Sequence, residues 1–113
     1  MENILIPLMD NELSPRFDLA PEVLIISITR ETSAMGTLSE RIINFEAPSA
    51  EAMYRLVMAE NIQTIICAGI EKEVFEFLKR KGVKVVDNVC GPVDPILEAY
   101  LTGRLSPGQN YWG

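Results

Sequence analysis

The chain contains no histidine. That removes imidazole as general base, as partner of a nucleophile and as metal ligand. Serine–histidine and cysteine–histidine hydrolase chemistry and the usual zinc sites are therefore excluded. Cysteine is scarce: Cys67 and Cys90 are the two, and without a secretory context they are expected as reduced thiols rather than a structural disulfide. Basic residues are in the minority, 10 Lys and Arg against 16 Asp and Glu, for a formal net charge of −6. A field of that sign opposes a nucleic-acid or anionic-membrane partner while leaving room for a local anion site. No apolar run approaches the ~20 residues of a membrane span. The start, MENILIPLMD, has neither a basic leader nor a long apolar segment, so no signal peptide is expected and the location is expected to be cytoplasmic. There is no G-x-G-x-x-G and no Walker lysine–serine pair, which leaves a nucleotide phosphate loop without support.

What is present is a chain of 113 residues, 48% hydrophobic and 23% charged. That composition predicts one folded α/β domain over residues 1–113, large enough to bury a core. NILIPLM (3–9) and PEVLIISIT (21–29) read as buried strands, and TLSERIINFE (37–46) as a third, after a turn in RETSAMG (30–36). The period then changes. Ser49 is placed to cap a helix with Glu51 in its first turn, and Met53, Leu56 and Val57 fall on one face. TIICAGI (64–70) is a short strand running into a glycine turn. EKEVFEFLKRKG (71–82) is a helix with Val74, Phe77 and Leu78 inward and Gly82 as its stop. VKVV (83–86) is a strand, NVCGP (88–92) a loop, and VDPILEAYLTG (93–103) a third helix with Pro95 in its first turn. Phe75, Phe77 and Tyr100 are expected in the core. Residues 104–113, RLSPGQNYWG, are expected as an irregular tail with Tyr111 and Trp112 docked on the body.

Short links between the first three strands suit an antiparallel meander, and helical links make the later strands parallel. The expectation is a mixed five-stranded sheet in the order 3-2-1-4-5 with about three helices, a ribonuclease-H-like arrangement. In such sheets ligands gather beyond the strand carboxyl ends, where the connection direction reverses. Three loops, 9–21, 67–71 and 87–92, would rim that point. They carry Asp10, Ser14, Arg16, Asp18, Cys67, Gly69, Asn88, Cys90 and Gly91. The stretch LSPRFDLAP (13–21) is a stiff lip on this crevice, because its two prolines limit its freedom.

Two readings stand for each reactive group there. Cys67 and Cys90 are either a thiolate pair for a soft metal or metal–sulfur cluster, or two small apolar residues at strand ends. Arg16 either binds an anion with its planar fork or locks its loop by pairing with Asp18 or Asp10. Asp10 and Asp18 do not make a two-metal nuclease, since the first strand carries no acid in its apolar run and the chain is acidic overall.

The strings IPLMD, LSPRFDLAP, IICAGI and G-x-V-D-P-I-L-E-A-Y-L-T-G-x-L occur in that order over nearly the whole chain. Together they resemble the dinitrogenase iron–molybdenum cofactor biosynthesis family, with SPRFD-x-AP the most specific element. The resemblance implies a ribonuclease-H-like fold without nuclease activity. It implies a non-enzymatic binding or carrier protein for a metal–sulfur cluster or its precursor, of the iron–molybdenum or the molybdenum–copper sulfide type, and a protein partner in cofactor assembly. By position it puts Ser14, Pro15, Arg16, Phe17 and Asp18, with Cys67, Ala68, Gly69 and Ile70, at the border of the cluster site, and Cys90 and Gly91 join these candidates from the rim of the crevice. Where cofactor carriers of this kind use histidine, this chain has none, so metal contact would come from Cys67, Cys90, Met9, Asp10 or backbone amides. The alternative is a small regulatory or protein–protein interaction module of the same fold without a bound cofactor.

Overall fold

A buried strand whose side chains alternate faces must be covered on both sides, and five apolar residues in a row at the centre of a sheet demand two separate layers. Ile4 to Leu8 of β1 (Glu2–Met9) form such a run, all buried, with Ile4, Leu5, Ile6 and Leu8 2% exposed or less. The computed structural model describes residues 1–31 and 34–112, with side chains described outside 30–38. In it β1 is flanked by antiparallel β3 (Glu22–Glu31) and parallel β5 (Thr64–Ile66). β4 (Ala34–Asn44) lies outside β3, and β6 (Lys84–Val86) outside β5. The path through the sheet is β4-β3-β1-β5-β6.

The two layers follow the alternation. Leu5, Val23, Ile25 and Ile65 face one side, where α1 (Ala50–Ala59) and α2 (Lys72–Arg80) supply Met53, Val57, Val74 and Leu78. Ile4, Ile6, Leu24, Ile26 and Ile66 face the other, where α3 (Val93–Leu101) supplies Val93, Ile96 and Leu97. Ser49 caps α1 by accepting from the Ala52 amide at 3.1 Å, and Gly82 and Gly103 follow α2 and α3 with φ of 81° and 75°. Among the described residues no helix is long and apolar enough to cross a membrane.

Several local expectations change. A sixth strand, β2 (Glu12–Leu13), folds back on β1 with Met9 opposite Glu12. Its turn, Asp10-Asn11, has φ of 52° and 66°, the left-handed pair that a two-residue hairpin needs. The strand expected over 37–46 occupies Ala34–Asn44 instead, because its register is set by pairing along the full length of β3. The turn expected in 30–36 is narrowed from both sides by these strands, and its centre, 32–33, lies outside the described residues. Phe75, Phe77 and Tyr100 are half-buried rather than interior, and Phe17 is the aromatic among the fully buried side chains. Tyr111 packs against the α3 layer, whereas Trp112 is 52% exposed.

The two-layer core predicts a contrast between two isoleucines. Ile6→Ala should cost about 2–5 kcal/mol in urea unfolding. Ile42→Ala, on the edge strand and 55% exposed, should stay within about 0.5 kcal/mol of wild type.

Candidate functional site

The carboxyl ends of β1, β5 and β6 lie along one edge of the sheet, and each strand gives way there to a loop that bonds to its neighbours. The 13–21 loop does not arch freely. It runs as an extra strand-like segment beside the turn after β5, through a parallel bridge between Arg16 and Gly69. The Phe17 amide donates to the Gly69 carbonyl at 2.9 Å, and the Gly69 amide donates to the Pro15 carbonyl at 3.0 Å. A Cβ at position 69 would lie 2.4 Å from the Pro15 oxygen, so only glycine permits this approach. Buried Ser14 donates its hydroxyl to the Arg16 carbonyl at 3.1 Å, and Phe17 inserts its ring into the α1–α2 layer. Ser14 and Phe17, both expected to border the site, are the anchors that hold the lip in place.

The 87–92 loop closes the other flank. Its Asn88 and Val89 amides donate to the carbonyls of Ala68 and Cys67, at 2.9 and 3.1 Å. Gly91 accepts from the Leu13 amide at 3.1 Å, while the tail pairs with Cys90 through the Cys90 and Tyr111 amides. Gly91 is itself enclosed, with φ of 130° and the Tyr111 Cβ 2.9 Å from where its own Cβ would stand. Residues 109–111 therefore form the outermost layer of this edge.

What remains open is a hollow of about 270 Å³ lined by Arg16, Asp18, Gly69, Ile70 and Glu71. A hollow of about 280 Å³ lies at the opposite edge of the sheet, where Gln63 and Val83 precede β5 and β6, away from the strand carboxyl ends. At the first hollow the Arg16 guanidinium, 53% exposed, is held by two carboxylates. Asp18 accepts from Nε at 3.2 Å and from Nη2 at 2.8 Å, and Glu71 accepts from Nη2 at 3.3 Å. The loop lock expected of Arg16 thus uses Asp18, as anticipated, and adds Glu71. The phenol of Tyr54 is pushed above its ordinary range, first by burial and then by Glu71, Glu73 and Asp18. Its ring meets that of Phe77 with centroids 4.6 Å apart and planes tilted by 39°, a contact that joins α1 to α2. The sequence reading put residue 71 on the rim without giving Glu71 a role as a partner of Arg16, and it missed Tyr54. The Glu71 contact spans tens of residues, and no local pattern encodes it.

The cysteines have different surroundings. Cys67 is 1% exposed among the apolar side chains of the α1–α2 layer. Burial and then the charge of Asp87 push its thiol up to about 12. Cys90 is half-buried against the tail backbone. Among the described residues no three His, Cys, Asp or Glu side chains gather as a metal-ion site. A sealed, protonated thiol is a poor metal ligand, so this donor set does not fit a cluster ligated through side chains. The cationic side chain at the hollow is Arg16, which Asp18 and Glu71 already pair with.

The sequence profile of the dinitrogenase iron-molybdenum cofactor family matches residues 3–103. The chain belongs to this family. Solved structures of similar fold include that of PH0822, with a TM-score of 0.76 at 16% identity over 93% of each chain. The crystal structure of MJ0327 from Methanocaldococcus jannaschii, described as a candidate dinitrogenase, gives 0.70 at 21% identity over 92% of this chain and 91% of that one. TM1290 from Thermotoga, described as a candidate NifB protein of the DUF35 family, gives 0.66 at 24% identity over 95% and 93%. At these identities the likeness is one of fold. A comparison with curated proteins finds no match.

Two predictions follow from this geometry. Gly69→Ala should destabilise the protein by about 1–3 kcal/mol through overpacking, and amide exchange at Phe17 and at position 69 should lose its protection. For Cys67 the folded pKa lies above the ordinary value, so the native state keeps a proton that the unfolded chain releases. Its contribution to stability is complete below about pH 9 and is lost as pH rises toward about 12. Denaturation midpoints of Cys67→Ala should accordingly fall less steeply over that window than those of wild type.

Proposed function

We propose that the protein is a non-enzymatic carrier for a preformed, anionic metal–sulfur cluster or its precursor, taken as cargo at the Arg16 hollow. The observation that carries this reading is the half-exposed guanidinium of Arg16, fixed at the strand carboxyl ends by the backbone bridge to Gly69. Backbone pairing fixes the lip, so Arg16 presents its charge from a preorganised position and the cargo has little left to order. Noncovalent capture suits the residues better than ligation does, because Cys67 is sealed in the core. Membership of the iron-molybdenum cofactor family supports a cofactor-associated role. The strand path β4-β3-β1-β5-β6, with helices on both faces, supports a ribonuclease-H-like reading of the fold. With no histidine in the chain, the common general base is missing, which supports a carrier over an enzyme. Within this reading Gly69 and Ile70 line the wall, Ser14 and Phe17 anchor it, and Arg16 and Asp18 meet the cargo. Ala68 packs toward the α3 layer, and Cys67, Cys90 and Gly91 support from behind. A protein of this kind works in the cytoplasm, handing its cargo to a protein partner in cofactor assembly.

One observation favours the second reading, a regulatory or protein-interaction module. Trp112 and Leu101 expose apolar surface at the C-terminal side, 52% and 38% respectively. Under that reading Trp112→Ala abolishes complex formation and the protein carries no metal.

The test is anaerobic isolation after supply of molybdate, iron and sulfide. The carrier reading predicts a coloured protein with stoichiometric molybdenum or iron, and at least a several-fold loss of metal in Arg16→Ala. Metal content that is the same in both proteins contradicts the site.

A further inference from the structure

The Arg16 guanidinium is held unequally. Asp18 grips it through two of its nitrogens, with the closer contact at 2.8 Å, and is 24% exposed. Glu71 reaches a single nitrogen at 3.3 Å and is 64% exposed. The two acids also differ in origin. Asp18 belongs to the same helical turn as Phe17, two residues from Arg16, whereas Glu71 comes from across the hollow, at the residue before α2.

Glu71 occupies the N-cap position of α2, where a short polar side chain ordinarily accepts a hydrogen bond from the first turn. Its side chain makes no such cap bond. The carboxylate is turned toward Arg16 instead, and it is one of the five residues lining the hollow. The helix takes no cap bond from this carboxylate, and Asp18 accepts two of the three side-chain bonds that Arg16 makes to the pair.

We infer that Glu71 is an internal occupant of the anion position on Arg16, and that cargo binds by displacing it. This inference rests on the carrier reading and adds the selectivity of its site. A singly charged small anion offers Arg16 little that the Glu71 carboxylate does not already provide. A multiply charged thioanion brings more charge and several acceptor atoms, so it displaces Glu71 where chloride or acetate does not. Asp18 stays in place during the exchange and keeps Nη2 pointed into the hollow.

The test uses tetrathiomolybdate as the probe, followed by its visible absorption in anaerobic equilibrium dialysis against wild type, Glu71→Gln and Arg16→Gln. Both positions are exposed, and matching thermal unfolding curves verify that the folds are intact. The expected result is that Glu71→Gln binds roughly two- to five-fold tighter than wild type, the scale of an exposed ion pair, while Arg16→Gln loses binding. Binding by Glu71→Gln where wild type shows none supports the inference equally. Equal affinity of Glu71→Gln and wild type, with binding still lost in Arg16→Gln, overturns the role of Glu71 and leaves the carrier site standing. Binding that is insensitive to Arg16→Gln, or absent from all three proteins, overturns the site and the inference with it.

Discussion

Where a side chain at position 69 would begin, the carbonyl oxygen of Pro15 already stands 2.4 Å away. That close approach lets the loop after β1 and the turn after β5 exchange two backbone hydrogen bonds, at 2.9 and 3.0 Å. The rest of the carboxyl edge is arranged around it. With Gly69 and Arg16 side by side, Phe17 drops into the core, Ser14 closes against the Arg16 carbonyl, and the guanidinium is left at the mouth of the hollow. The prolines of the 13–21 segment stiffen a path that the bridge has already fixed.

Electrostatics at this edge is local rather than global. The chain is acidic overall, yet Arg16 sits where the 13–21 and 67–71 loops meet, balanced by two carboxylates of unequal hold. An exposed ion pair of this sort contributes little to stability, about 0–1 kcal/mol. It can therefore be exchanged without loosening the fold, whereas the backbone bridge beneath it cannot. The cysteines divide in the opposite way from a ligand pair. Cys67 serves as a small apolar residue of the core, its thiol protonated by burial, and Cys90 is a joint between its loop and the tail.

Much of this was legible in the sequence, for reasons that can be named. The continuous apolar runs of β1 and β3, the Ser49 cap and the Gly82 and Gly103 stops are local signals, and the structure uses each of them. The lip at 13–21 and the turn at 67–71 could be brought to one crevice because right-handed crossovers restrict where parallel strands go. The sequence reading passed over Asp10-Asn11, a legible hairpin signal once φ preferences are considered, and so missed β2. The start of β4 was set too late because its extent depends on β3 rather than on its own alternation. Residue 71 was placed on the rim, but the pairing of its carboxylate with Arg16 was not legible, nor was Tyr54. The Glu71 contact to Arg16, and the field of Glu71 and Asp18 at Tyr54, arise from the packing of α1 and α2 on the sheet, which no spacing in the chain announces.

The central claim is that a metal–sulfur anion meets this protein at the hollow beside the Arg16–Gly69 bridge. Backbone amide shifts recorded by NMR during titration with tetrathiomolybdate test it most directly. The account predicts that the largest changes cluster at Arg16, Phe17, Gly69, Ile70 and Glu71, with the amides of Cys90 and Tyr111 little moved. Changes centred on Cys90 and the 109–111 tail, with Arg16 and Gly69 unmoved, would contradict it.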